Sequence, residues 1–245
     1  MILYKYHKAN DYLLEIIKRN SLWCSNPNDF NDPFDMRFLI DYKSLYDQLR
    51  SDAEKDFNMK YPALTHLIPN AIQGVTDEQL NDFVLEWNEK VISDLKRFGI
   101  CSLSKKQDDL LMWSHYTDKY NGVCLKFDFS EKSDISFMPL PVKYSDEFPS
   151  IRPDEVPNEH FCITKSSDWK YEEEFRIIAP KQGYVSFNKG CLKEVIFGFK
   201  VTHVYMKEVI DVAVNCGYEN LTYKTVKINN EKYQLDFLPL NLPLS

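Results

Sequence analysis

Glycine is scarce in this chain, with seven in 245 residues, and none of them falls in a GxGxxG, GxxxxGK[ST] or GxSxG pattern. HExxH is missing as well. Rossmann cofactor binding, P-loop phosphate binding, elbow-type hydrolase chemistry and helical zinc hydrolysis therefore lose their sequence basis. The six cysteines, Cys24, Cys101, Cys124, Cys162, Cys191 and Cys216, include no CxxC pair, and several sit in apolar runs such as GVCLKF and HFCIT. They read as reduced core thiols, and no metal is expected. No apolar run approaches the length of about 18 residues needed for a membrane span. The opening MILYKYHKANDYLLE carries charges throughout and lacks a signal-like core. A cytoplasmic protein without a membrane partner is expected. A formal charge of −7 and a pI near 5.3 argue against a nonspecific grip on nucleic-acid phosphates.

What is present is core material, with 44% hydrophobic residues of which many are aromatic. ILYKYH reads as a strand, followed by a helix from about Asp11 to Arg19 with Asn10 as N-cap and Asn20 past its end. SLWCS is a second strand and runs into the loop NPNDFNDPFD. Pro33 keeps Asp32 out of the helical region there, and Phe30 and Phe34 can anchor the turn. From about 41 to 98 the pattern is helical, clearest where Thr76 and Gln79 precede the stripe Leu80, Phe83, Val84, Trp87, Val91 and Leu95. ICSLS, VCLKFDF, PVKYS, YEEEFRIIA, KEVIFGF, LTYKTVKI and KYQLDFL read as strands. DDLLMWSHYTDKY, closed by Asn121-Gly122, and HVYMKEVIDVAVNCG read as helices. The expectation is one α+β domain over residues 1–245, with a mixed or antiparallel β core and a helical insertion at about 41–98.

The stretch DWKYEEEFRII concentrates charge inside an apparent strand. Alternation would put Trp169, Tyr171, Glu173, Phe175 and Ile177 on one face and Lys170, Glu172, Glu174, Arg176 and Ile178 on the other. That second face is either a solvated ion-pair ladder or the edge of an active site. An arginine beside two carboxylates can hold one of them charged, and a charged glutamate can stabilise an oxocarbenium-like transition state. In LMWSHYTDKYNG, helical spacing brings Trp113, Tyr116 and Tyr120 near one another, with His115 a step away. They form either a core stripe or a stacking surface for a heteroaromatic ligand. Ser102 and Ser104 share a face of their strand and need partners there. Pro153-Asp154 with Asp168-Trp169-Lys170 superficially matches the spacing of metal-dependent nucleases, but Asp154 lies in a proline-flanked loop.

In order along the chain, LYKYH, SNPNDFNDPFD, CSLS, MWSHYTDKYNGVCLKFD, VKYS, KSSDWKYEEEFRI and LKEVIFGF resemble the bacterial and phage family known as domain of unknown function 2971. The resemblance runs from about residue 3 to 199 and carries no settled activity. A looser likeness is to the ADP-ribosyltransferase-like fold, whose first strand offers a Tyr, His or Arg to the adenosine ribose. Its second strand carries Ser-x-Ser beside the nicotinamide, and a late strand begins with Glu/Gln-x-Glu. That resemblance implies NAD as substrate, with Tyr4, Tyr6 or His7 at the adenosine end and Ser102 and Ser104 at the nicotinamide. Trp113, His115 or Tyr116 would sit against the ring. It further implies that Glu174 contacts the nicotinamide ribose, that Glu172 orients water or an acceptor, and that Arg176 keeps Glu174 ionised or binds pyrophosphate. The expected activity is an ADP-ribosyltransferase or NAD glycohydrolase acting on an unidentified acceptor macromolecule, as a toxin or antiphage defence effector. Its rivals are a nucleotide or phage-component sensor that changes nothing and a metal-dependent nuclease.

Overall fold

The computed structural model describes residues 1–41, 51, 55, 97–130, 134–151 and 161–240. The helical insertion, with its Thr76–Gln79 capping box and apolar stripe, lies outside these residues apart from its edges, as does Asp154. Three helices and a large sheet frame the described remainder. Strand β1 (Ile2–Lys8) alternates cleanly: Leu3 faces one side, while Tyr4 and Tyr6 face the other. Helix α1 (Asp11–Arg19) begins where the Asn10 side chain accepts from the Leu13 N–H, and it ends at Asn20 in the left-handed region. It buries Leu13, Leu14, Ile16 and Ile17, each contributing about 1.5–3 kcal/mol by leaving water. The chain continues through β2 (Ser21–Cys24), β3 (Leu39–Ile40), β4 (Gly99–Ser104), α2 (Leu110–Tyr116), β5 (Gly122–Asp128), β6 (Leu140–Pro141), β7 (Lys143–Ser145) and β8 (Ser150–Ile151). After these come β9 (Thr164–Ser166), β10 (Glu174–Ala179), β11 (Gly183–Ser186), β12 (Leu192–Phe197), α3 (His203–Asn215), β13 (Thr222–Ile228) and β14 (Leu235–Pro239).

Eight of the strands form one mixed sheet in the order β14-β13-β12-β5-β1-β4-β10-β6. Its neighbours are antiparallel except β12 and β13, which run parallel because α3 carries the chain between them. One face packs Leu3, Leu103, Leu125, Phe127, Ile177 and Val195 against α1 and α3. Opposite it, Tyr4, Tyr6, Cys124 and Ile196 meet Met112 and Trp113 of α2. The architecture is α+β with a large mixed sheet and few helices, as the strand and helix pattern predicts. Among the described residues no helix is long and apolar enough to cross a membrane.

The structure corrects three local expectations. The run from 168 to 178 is not one strand: Ser167–Glu172 is a 3-10 turn, Glu173 is left-handed with φ of 42°, and the strand begins only at Glu174. The Ser166 side chain accepts from the Asp168 N–H at 3.3 Å, so local turn chemistry outcompetes the ladder there. Helix α2 also ends earlier than expected. Asp118, Lys119 and Tyr120 take positive φ before Asn121-Gly122, and the Lys119 and Tyr120 amides return to the Ser114 and Trp113 carbonyls of α2. Phe34, finally, does not anchor its loop; it is exposed, and Arg37 lies over its ring.

Gly122 is required by this left-handed turn. A Cβ there would sit 2.3 Å from the His7 carbonyl oxygen and 2.7 Å from the Thr117 Cβ, both in fixed structure. Gly122→Ala should cost about 1–3 kcal/mol or more by overpacking. For a chain of this size that is a fall in Tm of about 2–12 °C, measurable by differential scanning calorimetry.

Candidate active site

Three neighbouring strands bring the site together. In register, Ser104 lies opposite both Tyr4 of β1 and Glu174 of β10, while Ser102 lies opposite Arg176. Opposed residues share a face, so Tyr4, Ser102, Ser104, Glu174 and Arg176 all point to the α2 side of the sheet. Alternation alone groups Ser102 with Ser104 and Glu174 with Arg176; pairing joins the two strands and adds Tyr4 of β1.

Arg176 is completely buried, and all five of its N–H donors are used. Nε donates to Glu174 Oε1 at 2.8 Å and Nη2 to Glu174 Oε2 at 3.2 Å. Asp35 receives a two-pronged contact, 2.9 Å from Nη1 and 2.5 Å from Nη2, and Nη1 also reaches the Cys162 carbonyl at 2.8 Å. No donor is left for a pyrophosphate, which removes that expected role for Arg176. Asp35 comes from the NDPFD loop, where the Asp32 carboxylate accepts from the Phe34 N–H and the Asp32 carbonyl accepts from the Asp35 N–H. Those bonds fix the loop so that Asp35 meets the guanidinium.

Lys165, on β9, is the second cation. Its Nζ donates to Glu172 Oε2 at 2.6 Å and to Glu174 Oε2 at 2.9 Å, and it lies 4.7 Å from the centre of the Trp169 ring. Tyr116 of α2 donates to Glu172 Oε1 at 2.7 Å. Ser104 pins the same turn from below, donating to the Glu172 carbonyl at 2.6 Å, and Ser102 adds a hydroxyl contact to Glu174. The charged stretch is therefore no solvated ladder: Glu172 and Glu174 are 2% and 3% exposed.

Three carboxylates and two cations leave one surplus negative charge if every group is ionised, and the protein divides that strain unequally. Burial pushes the Glu174 carboxyl up, but Arg176 and Lys165 outweigh it and hold the group down at about 2. At Glu172 burial dominates, and Lys165 and Tyr116 offset it only in part, so this carboxyl is raised above its ordinary value. Burial alone would favour the neutral amine of Lys165, yet Glu174 and Glu172 more than compensate and keep it cationic.

A cleft of about 360 Å³ opens beside this cluster, walled by Ser102, Ser104, His115, Tyr116, Glu172 and Glu174. Tyr4 and Tyr6 also reach it. Tyr6 donates to the Lys106 carbonyl at 2.9 Å and meets Trp113 edge-on at 5.5 Å. His115 is exposed at the rim. Trp113 is fully buried, with its indole N–H on the Gln107 carbonyl, and it does not line the cleft, so it supports the wall instead of stacking on a ligand. His7, on the opposite face of β1 from Tyr4 and Tyr6, opens onto a neighbouring compartment. Asp168 and Lys170 of the nuclease-like spacing are exposed on the 3-10 turn, away from the Glu172–Glu174 cleft.

Removing the guanidinium with Arg176→Met should destabilise the fold by about 3–5 kcal/mol, because Asp35 and Glu174 would remain buried without their counter-charge. Chemical denaturation would measure it. Glu174 has its carboxyl depressed in the folded state. Its stabilising contribution, on the order of 3 kcal/mol, is present above about pH 4.5 and lost as pH falls toward 2. The stability difference between wild type and Glu174→Gln should shrink across that window.

Residues 112–177 match the model of a family described as "Protein of unknown function (DUF2971)". The matched stretch includes Tyr116, Lys165, Glu172, Glu174 and Arg176, while Asp35 precedes it. No curated protein and no solved structure gave a match, so the ADP-ribosyltransferase likeness draws no support from these comparisons. The family read from FNDPF, MWSHY and the W-x-YE-x-E-x-R run is the one this match supports, the DUF2971 family.

Proposed function

We propose that the chain is an NAD-consuming enzyme, an ADP-ribosyltransferase or NAD glycohydrolase, whose reaction centre is the cleft beside Glu174. The observation that carries this reading is the pairing of β1, β4 and β10. It brings aromatic hydroxyls, a Ser-x-Ser step and a glutamate pair to one cleft, in the spatial relation that the looser resemblance implies. Glu174, held ionised, would face the ribose as the N-glycosidic bond breaks and nicotinamide leaves with the bonding electrons. A fixed carboxylate in a water-poor wall needs no reorganisation as positive charge develops on the ribosyl carbon. Glu172, with its raised proton affinity, suits the role of accepting the proton from the attacking water or acceptor hydroxyl. Tyr116 and Lys165 orient it. The nicotinamide ring would lie against Tyr116 or His115 at the cleft surface.

A second reading is favoured by one specific feature. Both oxygens of Glu174 already accept from Arg176 or Lys165, so the carboxylate is satisfied without any ligand. That suits a nucleotide-binding module in which the cluster is only a rigid wall.

Proton NMR of NAD incubated with the protein separates the two. Free nicotinamide should appear with wild type and fall at least 100-fold with Glu174→Ala, a loss typical for removing one group that stabilises developing charge. No release from wild type, with or without cell extract as acceptor source, would sink the enzymatic reading and leave the binding module.

A further inference from the structure

Beside the Glu174 cleft lies a second compartment of about 490 Å³, and the two share Lys5, Tyr6, Lys8, Trp23, Ser25 and Tyr116 as wall. The second compartment differs in chemistry. Among the described residues it has no carboxylate in its lining and instead gathers Trp23, Tyr184 and Tyr12 with the amino groups of Lys5 and Lys8.

The aromatic groups are held by structure and left open to solvent. Trp23 of β2 and Tyr184 of β11 are register partners, and their rings meet edge-on at 4.9 Å. Trp23 is 42% exposed and Tyr184 is 45% exposed, and strand alternation turns Trp23 outward between Leu22 and Cys24, which are fully buried. The Arg19 guanidinium, itself tied to Glu15, covers the Tyr184 ring at 5.0 Å. Trp23 is therefore the ring that an incoming planar group meets.

Positive charge lies beside it. Lys5 spends one donor on the Ser102 carbonyl at 3.0 Å and keeps the others, and no carboxylate among the described residues pairs with Lys8. Two amines without a bound acid, in a chain of formal charge −7, form an anion site within reach of the aromatic pair. His7 contributes polarity: its Nδ1 lies 2.8 Å from the Lys8 carbonyl, which only accepts, so Nδ1 carries the proton and Nε2 of the neutral ring is an acceptor. An aromatic face, an acceptor for an exocyclic amine and two cations together describe a base carrying a phosphate.

We infer that the Trp23–Lys8 compartment is a nucleotide subsite that takes an adenine ring on Trp23 and its phosphate on Lys5 and Lys8. It rests on the reading of the adjoining cleft as an NAD site only for its biological use, since mononucleotide binding needs no bond cleavage. The probe is therefore AMP, which has a base and a phosphate but no nicotinamide to lose.

Isothermal titration with AMP should give one site on wild type. Trp23→Ala should weaken it about tenfold or more, and Lys8→Glu should weaken it and reduce its salt dependence, since Lys5 remains. Trp23→Phe keeps a ring, is the safer substitution for folding, and should retain most of the affinity while losing the AMP-induced quenching of tryptophan fluorescence. Failure of wild type to bind AMP, or unchanged affinity in folded Trp23→Ala and Lys8→Glu proteins, would overturn the subsite. AMP binding without nicotinamide release from NAD would leave the subsite standing and remove only the enzymatic reading.

Discussion

The site depends on one buried guanidinium. Arg176 ties β10 to the NDPFD loop through Asp35, to the segment before β9 through the Cys162 carbonyl, and to the head of its own strand through Glu174. A planar group with five fixed donors can do this, and a lysine could not. Burying such a charge is costly unless every donor is met, and here every donor is. The consequence reaches the cleft: with Arg176 neutralised by Asp35 and Glu174, the second cation, Lys165, is shared between Glu174 and Glu172. Glu172 is the carboxylate left short of charge. Two glutamates separated by one residue thus acquire opposite proton affinities from one arrangement of neighbours.

This arrangement explains a local oddity of the chain. A continuous strand would have stepped Glu172 and Glu174 along the sheet by about 6.5–7 Å. The 3-10 turn and the left-handed Glu173 instead fold the first glutamate back, so that both carboxylates reach the same Lys165 amine. Glu173, between them, is turned out to solvent near Lys106. The strained residue and the functional-looking pair are one feature.

Much of the scaffold was legible in the sequence. Asn10 and Asn20 mark the ends of α1, alternation marks β1, β4 and β5, and the face shared by Ser102 and Ser104 is the one that meets Glu174 and Arg176. What escaped reading depended on non-local pairing. Asp35 is one of several acids in a loop rich in Asn and Asp, and Lys165 is a single lysine in HFCITKSS; neither spacing reveals that they close a cluster around residues 172–176. The three consecutive left-handed residues 118–120 are similarly opaque, because Gly198, far along the chain, packs on the Tyr120 carbonyl, and the His7 carbonyl of β1 packs on Gly122 where the turn ends. Trp23 sits in a short strand whose alternation makes it outward-facing, but only its pairing with Tyr184 shows that the outward face is a wall.

The most direct test of the central claim is the protonation of the two glutamates themselves. Carbon-13 NMR of carboxyl-labelled glutamate, assigned with Glu172→Gln and Glu174→Gln and titrated from pH 2 to 8, would follow each group. The account predicts that Glu174 stays ionised through most of this range and begins to protonate only toward pH 2, while Glu172 titrates above the ordinary glutamate range. Two carboxyls titrating together at about 4.3, as in a solvated ion-pair ladder, would contradict it.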